Sequence, residues 1–223
     1  MPFYVAPEQM MKDRADFAQK GIARGRALVA VRDNDGIVIV AENASETLRK
    51  VSEIYDRIAF AGVGRYNEFD QLRVAGVRAA DIKGFQYSRD DVDARSLANS
   101  YAQMLGNIFT HEMKPMEVEI LVAEVGIDSG DDRIFHIWYD GTVADERDFS
   151  AIGGDADSIK ERLAESWTDG LDRNAAIQVG VAALGGPDRT IPPDDLEVAA
   201  LSRANGRRCF LRIEHADLVA ALA

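Results

Sequence analysis

The sequence predicts an α+β fold, a four-layer α/β/β/α sandwich of two stacked antiparallel sheets, each covered outside by a pair of helices. Strand-like and helix-like segments are grouped (strands, two helices, strands, two helices, strands), where a parallel βαβ sheet would alternate them singly. Several strand segments, Ile37-Val38-Ile39-Val40-Ala41 among them, are continuously apolar, as strands packed between two layers must be. The chain has 223 residues and 47% hydrophobic content, with no linker, repeat or low-complexity tract, so a single domain over 1–223 is the economical reading.

The elements follow in order. From Pro7 to Arg24, Met11, Ala15, Ala18 and Ile22 fall at helical spacing, with Pro7 suited to the first turn and Gly25 to the end. The apolar runs 26–31 and 37–41 flank Asp33-Asn34-Asp35-Gly36, a hairpin turn. A further strand is expected over Tyr55–Gly64, with Gly62 and Gly64 marking a tight passage into the next element. Helical patterns then run from about Asn67 to Lys83 and from about Val92 to Met113. Pro115 ends that stretch, and 118–125 and 134–139 read as strands around an acidic turn. A short strand at 150–152 leads through Gly153-Gly154 to helices near Ala156–Ser166 and Arg173–Ala183. Strands at Leu196–Ser202 and Cys209–Ile213 and a helical turn from Ala216 close the chain.

Charge and composition exclude several classes of function. Asp and Glu number 38 against 26 Lys and Arg, a formal charge of −12, which repels nucleic-acid backbones and anionic membranes on average. No run of apolar residues is long enough to span a bilayer, and the start Met1-Pro2-Phe3-Tyr4-Val5 has no basic region ahead of an apolar stretch, so a cytoplasmic location is expected. The single Cys209 admits no intrachain disulfide and reads as a buried thiol. His111, His136 and His215 are scattered and belong to no zinc motif, and Asp33-Asn34-Asp35-Gly36 lacks the remainder of a calcium loop. There is no Gly-x-Ser-x-Gly elbow and no phosphate loop, and Gly62-Val63-Gly64 and Gly153-Gly154 read as hinges. No cofactor, metal or catalytic residue is expected.

Ordered residue matches then add a family. Pro7-Glu8-Gln9 through Gly25, Ala41-Glu42-Asn43, Ser52-Glu53-Ile54-Tyr55-Asp56-Arg57 and Asn67-Glu68-Phe69-Asp70 resemble the actinobacterial proteasome core-particle α subunits. So do Leu97–Gln103, Lys114-Pro115-Met116-Glu117-Val118-Glu119, Tyr139–Glu146 and Leu196-Glu197-Val198-Ala199, so the resemblance covers nearly the whole chain. It implies the N-terminal-nucleophile hydrolase-like sandwich and a homo-heptameric α ring capping the rings of β subunits. It also implies a gate for unfolded polypeptide substrate and a dock for an AAA-type ring ATPase or other activator. Family members commonly carry a longer, polar tail than one ending at Ala223.

Catalysis falls to the β subunits on this reading. An N-terminal nucleophile needs a Thr, Ser or Cys with a free amine at the start of the first strand, and Gly25-Arg26-Ala27 occupies that place. The competing readings are a catalytic β-type threonine peptidase, processed before an unrecognised nucleophile, and a ring-forming scaffold unrelated to proteolysis. The resemblance assigns Met1–Ala6 as the gate, with Phe3, Tyr4, Val5 and Ala6 as apolar residues meeting at an axis, and 7–25 as the ring-assembly helix, with Pro7, Met11, Ala15, Ala18 and Ile22 along it. It assigns Lys50, in Ser45-Glu46-Thr47-Leu48-Arg49-Lys50-Val51, to the pocket that receives the activator's C-terminal carboxylate.

Overall fold

The computed structural model describes residues 6–223. Helix α1 (Pro7–Ile22) leads into strands β1 (Leu28–Arg32), β2 (Gly36–Glu42), β3 (Val51–Tyr55) and β4 (Ile58–Gly64), followed by helices α2 (Tyr66–Gln86) and α3 (Ala94–His111). Strands β5 (Val118–Glu124), β6 (Arg133–Ile137), β7 (Val143–Glu146) and β8 (Phe149–Ile152) precede helices α4 (Ala156–Ser166) and α5 (Arg173–Gly185). Strands β9 (Leu196–Ser202) and β10 (Phe210–Arg212) and helix α6 (His215–Leu222) complete the chain.

The strands form two five-stranded sheets, ordered β10-β9-β2-β1-β8 and β3-β4-β5-β6-β7, with every pair antiparallel. Helices α4 and α5 cover the first sheet and α2 and α3 the second. The expected four layers are therefore present.

Strand periodicity explains the continuous apolar runs. Along β1, Leu28 and Ala30 enter the core between the sheets, while Val29 and Val31 enter the core beneath α4 and α5. β2 repeats this, with Ile37, Ile39 and Ala41 facing the other sheet and Val38 and Val40 facing the helices. Successive side chains point to opposite faces and both faces are covered, so the interior positions are apolar and charge is confined to the strand ends, Arg32 and Glu42. A third core joins the second sheet to its helices through Phe60, Phe69, Leu72, Tyr101 and Leu105. There the Tyr101 hydroxyl donates to the Leu72 carbonyl at 3.0 Å, and Gly76 leaves the room that hydroxyl needs.

Two details differ from the expectation. The strand expected over Tyr55–Gly64 is two strands, β3 and β4, joined by a tight turn at Asp56-Arg57 in which Tyr55 pairs with Ile58. That turn contains no Gly or Pro. It is held by distant partners instead: Arg89 Nε donates to Asp56 Oδ2 at 2.9 Å, the Cys209 amide to the Asp56 carbonyl at 2.7 Å, and Arg57 Nε to the Val125 carbonyl at 2.7 Å. Edge strand β7, Val-Ala-Asp-Glu, has half-exposed alternating residues and so carries no apolar signal.

Gly64 and Gly153 are the hinges the sequence suggested. Both have positive φ, 111° and 104°, and a side chain would strike the Glu117 carbonyl and Ala27 respectively.

Candidate functional site

Lys50 lies in the connection from β2 to β3, which passes from one sheet to the other. Asn43 organises this loop: its Nδ2 donates to the Leu48 carbonyl and to Glu197 Oε2, each at 2.8 Å, and its Oδ1 accepts from the Ser45 amide at 3.1 Å. Glu197 sits on β9 opposite Ala41 of β2 and is almost wholly buried. Its carboxylate also accepts from the Lys50 and Val51 amides at 2.8 and 3.2 Å and from Arg212 Nη1 at 2.9 Å. An acid of one sheet thus pins the first residue of the other.

The Lys50 side chain turns back to the start of β1. Its Nζ donates to the Arg26 carbonyl at 2.6 Å and to the Glu42 carbonyl at 3.0 Å. An ammonium has three N–H donors, so one remains for an incoming acceptor. Burial pulls the Lys50 pKa down to about 8, and the charges of Glu42 and Glu197 offset part of that loss.

Glu42 is gripped from two sides. Arg26 Nη1 lies 2.8 Å from its Oε1, and Arg189 donates bidentately, Nη1 to Oε1 at 2.7 Å and Nη2 to Oε2 at 2.8 Å. Four cations, Arg26, Lys50, Arg189 and Arg212, thus surround two buried carboxylates, Glu42 and Glu197.

Sequence reasoning found Lys50 and overlooked these partners. A Glu at the end of an otherwise apolar strand (Glu42) and another inside Leu196–Ser202 (Glu197) are the signals that were present.

The strand start and Lys50 are brought together. Arg26 has an ordinary peptide amide, its carbonyl accepts from Lys50, and its guanidinium pairs with Glu42. Helix α1 leads into it and is part of the domain. Ala18 and Ile22 are buried in the inter-sheet core, Ala15 packs against it, and a side chain at Gly21 would strike Glu117. Arg14 ties α1 to the C-terminal end of α3, Nε donating to the Phe109 carbonyl at 2.7 Å and Nη2 to the Ile108 carbonyl at 3.1 Å.

Of the expected assembly residues, Ala18 and Ile22 are therefore used by the chain's own core, Pro7 is exposed and Met11 is half-buried. Met10 and Phe17, which the sequence reading did not name, are exposed apolar residues on the same helix. Of the expected gate, Ala6 is the exposed N-cap of α1. Phe3, Tyr4 and Val5 lie outside the described residues. No helix among the described residues is long and apolar enough to cross a membrane.

Comparison with known proteins bears on the whole chain. A family model described as "Proteasome subunit" matches residues 22–186. A protein named "Proteasome subunit alpha" from Acidimicrobium ferrooxidans is 60% identical over 222 residues, covering 100% of this chain and 96% of the relative. One of the same name from Kineococcus radiotolerans is 56% identical over 232 residues, covering 100% of this chain and 98% of the relative. Another, from Acidothermus cellulolyticus, is 54% identical, covering 97% and 95%. With its two antiparallel sheets, its helix pairs and this full-length similarity, the chain belongs to the proteasome subunit family and resembles the α subunits within it.

Proposed function

We propose that this chain is a non-catalytic α-ring subunit of a proteasome core particle, forming heptameric rings on the β rings, gating polypeptide entry and docking a ring activator at Lys50. The observation that carries the non-catalytic reading is the junction of α1 with β1. A helix anchored in the core by Ala18 and Ile22 precedes the strand, and Arg26 at its start offers neither a hydroxyl or thiol nor a free amine. The catalytic β-type reading requires that helix to be removed, which would open the inter-sheet core.

The docking reading is supported by the Lys50 cluster. A terminal carboxylate meets the remaining Lys50 N–H and the exposed guanidinium of Arg26, while the Glu42 carboxylate holds Arg26 and the Arg26 and Glu42 carbonyls hold the Lys50 ammonium. Lys50 also grips the Arg26 carbonyl in the link between α1 and β1, so a carboxylate that draws on Lys50 acts on the link carrying the proposed gate. Ring contacts are assigned to the exposed side of α1, Pro7, Met10, Met11 and Phe17, and the gate to Met1–Ala6.

Co-expression with the matching β subunit tests the assembly: a particle with seven-fold symmetry whose peptide hydrolysis survives only with the β subunit present is expected. Peptidase activity of the α chain alone would overturn the assignment. Within that particle, Lys50→Ala should abolish binding of an activator-tail peptide and leave ring assembly unchanged; equal affinity in the variant would remove the docking role. Deleting residues 2–6 should raise peptide hydrolysis, and an unchanged rate would remove the gate.

A further inference from the structure

Outside the Lys50 cluster, a cavity of about 330 Å³ opens between the C-terminal end of α1, β5, β6 and the first turn of α4. Nothing in the function proposed above uses it. Its walls carry Glu119, His136, Trp138, Asp155, Asp157 and Lys160. Three carboxylates face one ammonium there, and that ammonium is already engaged, Lys160 Nζ lying 2.7 Å from Glu146 Oε1. The charge of the cavity therefore disfavours an anion.

His136 is the anomaly. The residue is 2% exposed, and neither Nδ1 nor Nε2 has a hydrogen-bond partner. Nε2 stands 3.9 Å from Glu119 Oε2, beyond hydrogen-bonding distance. Burial, and to a smaller extent the Lys160 charge, drives the imidazole pKa down to about 3, so the ring is neutral and keeps one acceptor nitrogen. Burial likewise raises the Glu119 carboxyl, and its one hydrogen bond, from the Gly153 amide at 3.0 Å, together with the Lys160 charge offsets only part of that rise. The Trp138 ring stacks on His136 with centroids 3.6 Å apart and planes 28° from parallel.

An unmet acceptor nitrogen beside an under-supplied carboxylate and an aromatic face is matched by a cation with several N–H donors. A bare metal ion is matched less well, since no cluster of three or more metal-ligating side chains occurs among the described residues. We propose that this cavity binds a guanidinium or primary ammonium group, seated between Glu119 and His136 beside Trp138. The group arrives either on a free small molecule or as an arginine or lysine side chain of a polypeptide, and the chemistry of recognition is the same.

The test uses the full chain with Trp167→Phe, so that emission reports Trp138 alone, together with the ¹⁵N resonances of the His136 ring. Agmatine and free arginine should give saturable changes in both. N-butylurea, a neutral urea that carries neither a guanidinium nor an ammonium, should give neither. Glu119→Gln preserves the shape and an acceptor for Gly153, and should weaken agmatine binding at least about tenfold through loss of a charge-assisted bond. Tighter binding of a short arginine-bearing peptide than of free arginine assigns the site to a polypeptide side chain, and the reverse order assigns it to a small molecule. The absence of saturable change in both readouts, or N-butylurea matching arginine, would overturn the proposal. The ¹⁵N readout on the otherwise unaltered chain stands even where Glu119→Gln fails to fold.

Discussion

The Lys50 cluster and the Glu119–His136 cavity both bury ionisable groups at the ends of strands, but they treat them in opposite ways. In the first, Glu197 has the amides of Lys50 and Val51, the Asn43 amide group and Arg212, and Glu42 has two guanidiniums. In the second, both nitrogens of His136 go without partners and Glu119 has one backbone donor. A buried charge that is fully hydrogen-bonded acts as a structural joint, because removing any partner strands the others. A buried polar group that is left unpaired has given up its hydration with no bond in return, and no neighbour depends on it, so its loss strands nothing. The first region should therefore be sensitive to mutation in stability, and the second in binding alone.

The largest effect is expected from Glu197→Ala, which leaves four donors from three parts of the chain without their acceptor. About 3–5 kcal/mol of stability should be lost, read as a fall in the denaturant midpoint. A loss under about 1 kcal/mol would put Glu197 on a par with an exposed ion pair and end the contrast.

Next comes the pH dependence of docking. The Lys50 pKa of about 8 lies below its ordinary 10.5, and only the protonated amine attracts a carboxylate. Activator-tail affinity should therefore fall as pH rises through 8, approaching tenfold per unit beyond it, with no such fall in Lys50→Arg. The sign for folding is the reverse. Between about 8 and 10.5 the unfolded chain holds the proton that the folded chain has released, so this group's contribution to stability rises with pH across that window. Affinity that is flat from pH 7 to 9 would count against the role of the ammonium.

A smaller change is expected from Glu42→Gln. Its partners Arg26 and Arg189 are substantially exposed, so the loss should be about 1 kcal/mol, accompanied by weaker docking as Arg26 loosens. The smallest belongs to the other region: His136→Leu should shift stability by less than about 1 kcal/mol in either direction, since it removes two unpaired polar atoms. A loss as large as that of Glu197→Ala would mean that His136 has a structural partner.

Local patterns made much of this fold legible. The stripe Met11, Ala15, Ala18, Ile22 and the turn Asp33–Gly36 rest on neighbours in sequence, and each produced its element. The turn at Asp56-Arg57 and strand β7 were not legible, because the first is stabilised by Arg89, Cys209 and Val125 and the second is a polar edge. At the candidate site, Lys50 was visible only through family resemblance. Its partners Arg189, Glu197 and Arg212 lie far along the chain, beyond the reach of any spacing rule.

The sequence by itself determined the grouped strands and helices, the two-sided burial of β1 and β2, and a first strand entered through Gly25-Arg26-Ala27, which offers no nucleophile. Those properties follow from side-chain periodicity and residue identity, which are local. Only the tertiary structure decided that Ala18 and Ile22 serve the chain's own core and leave Met10 and Phe17 outside, that Lys50 is clamped by two carbonyls, and that His136 is left unpaired beside Glu119. Burial and hydrogen-bond satisfaction depend on which layers meet, and that is settled by packing distant segments together.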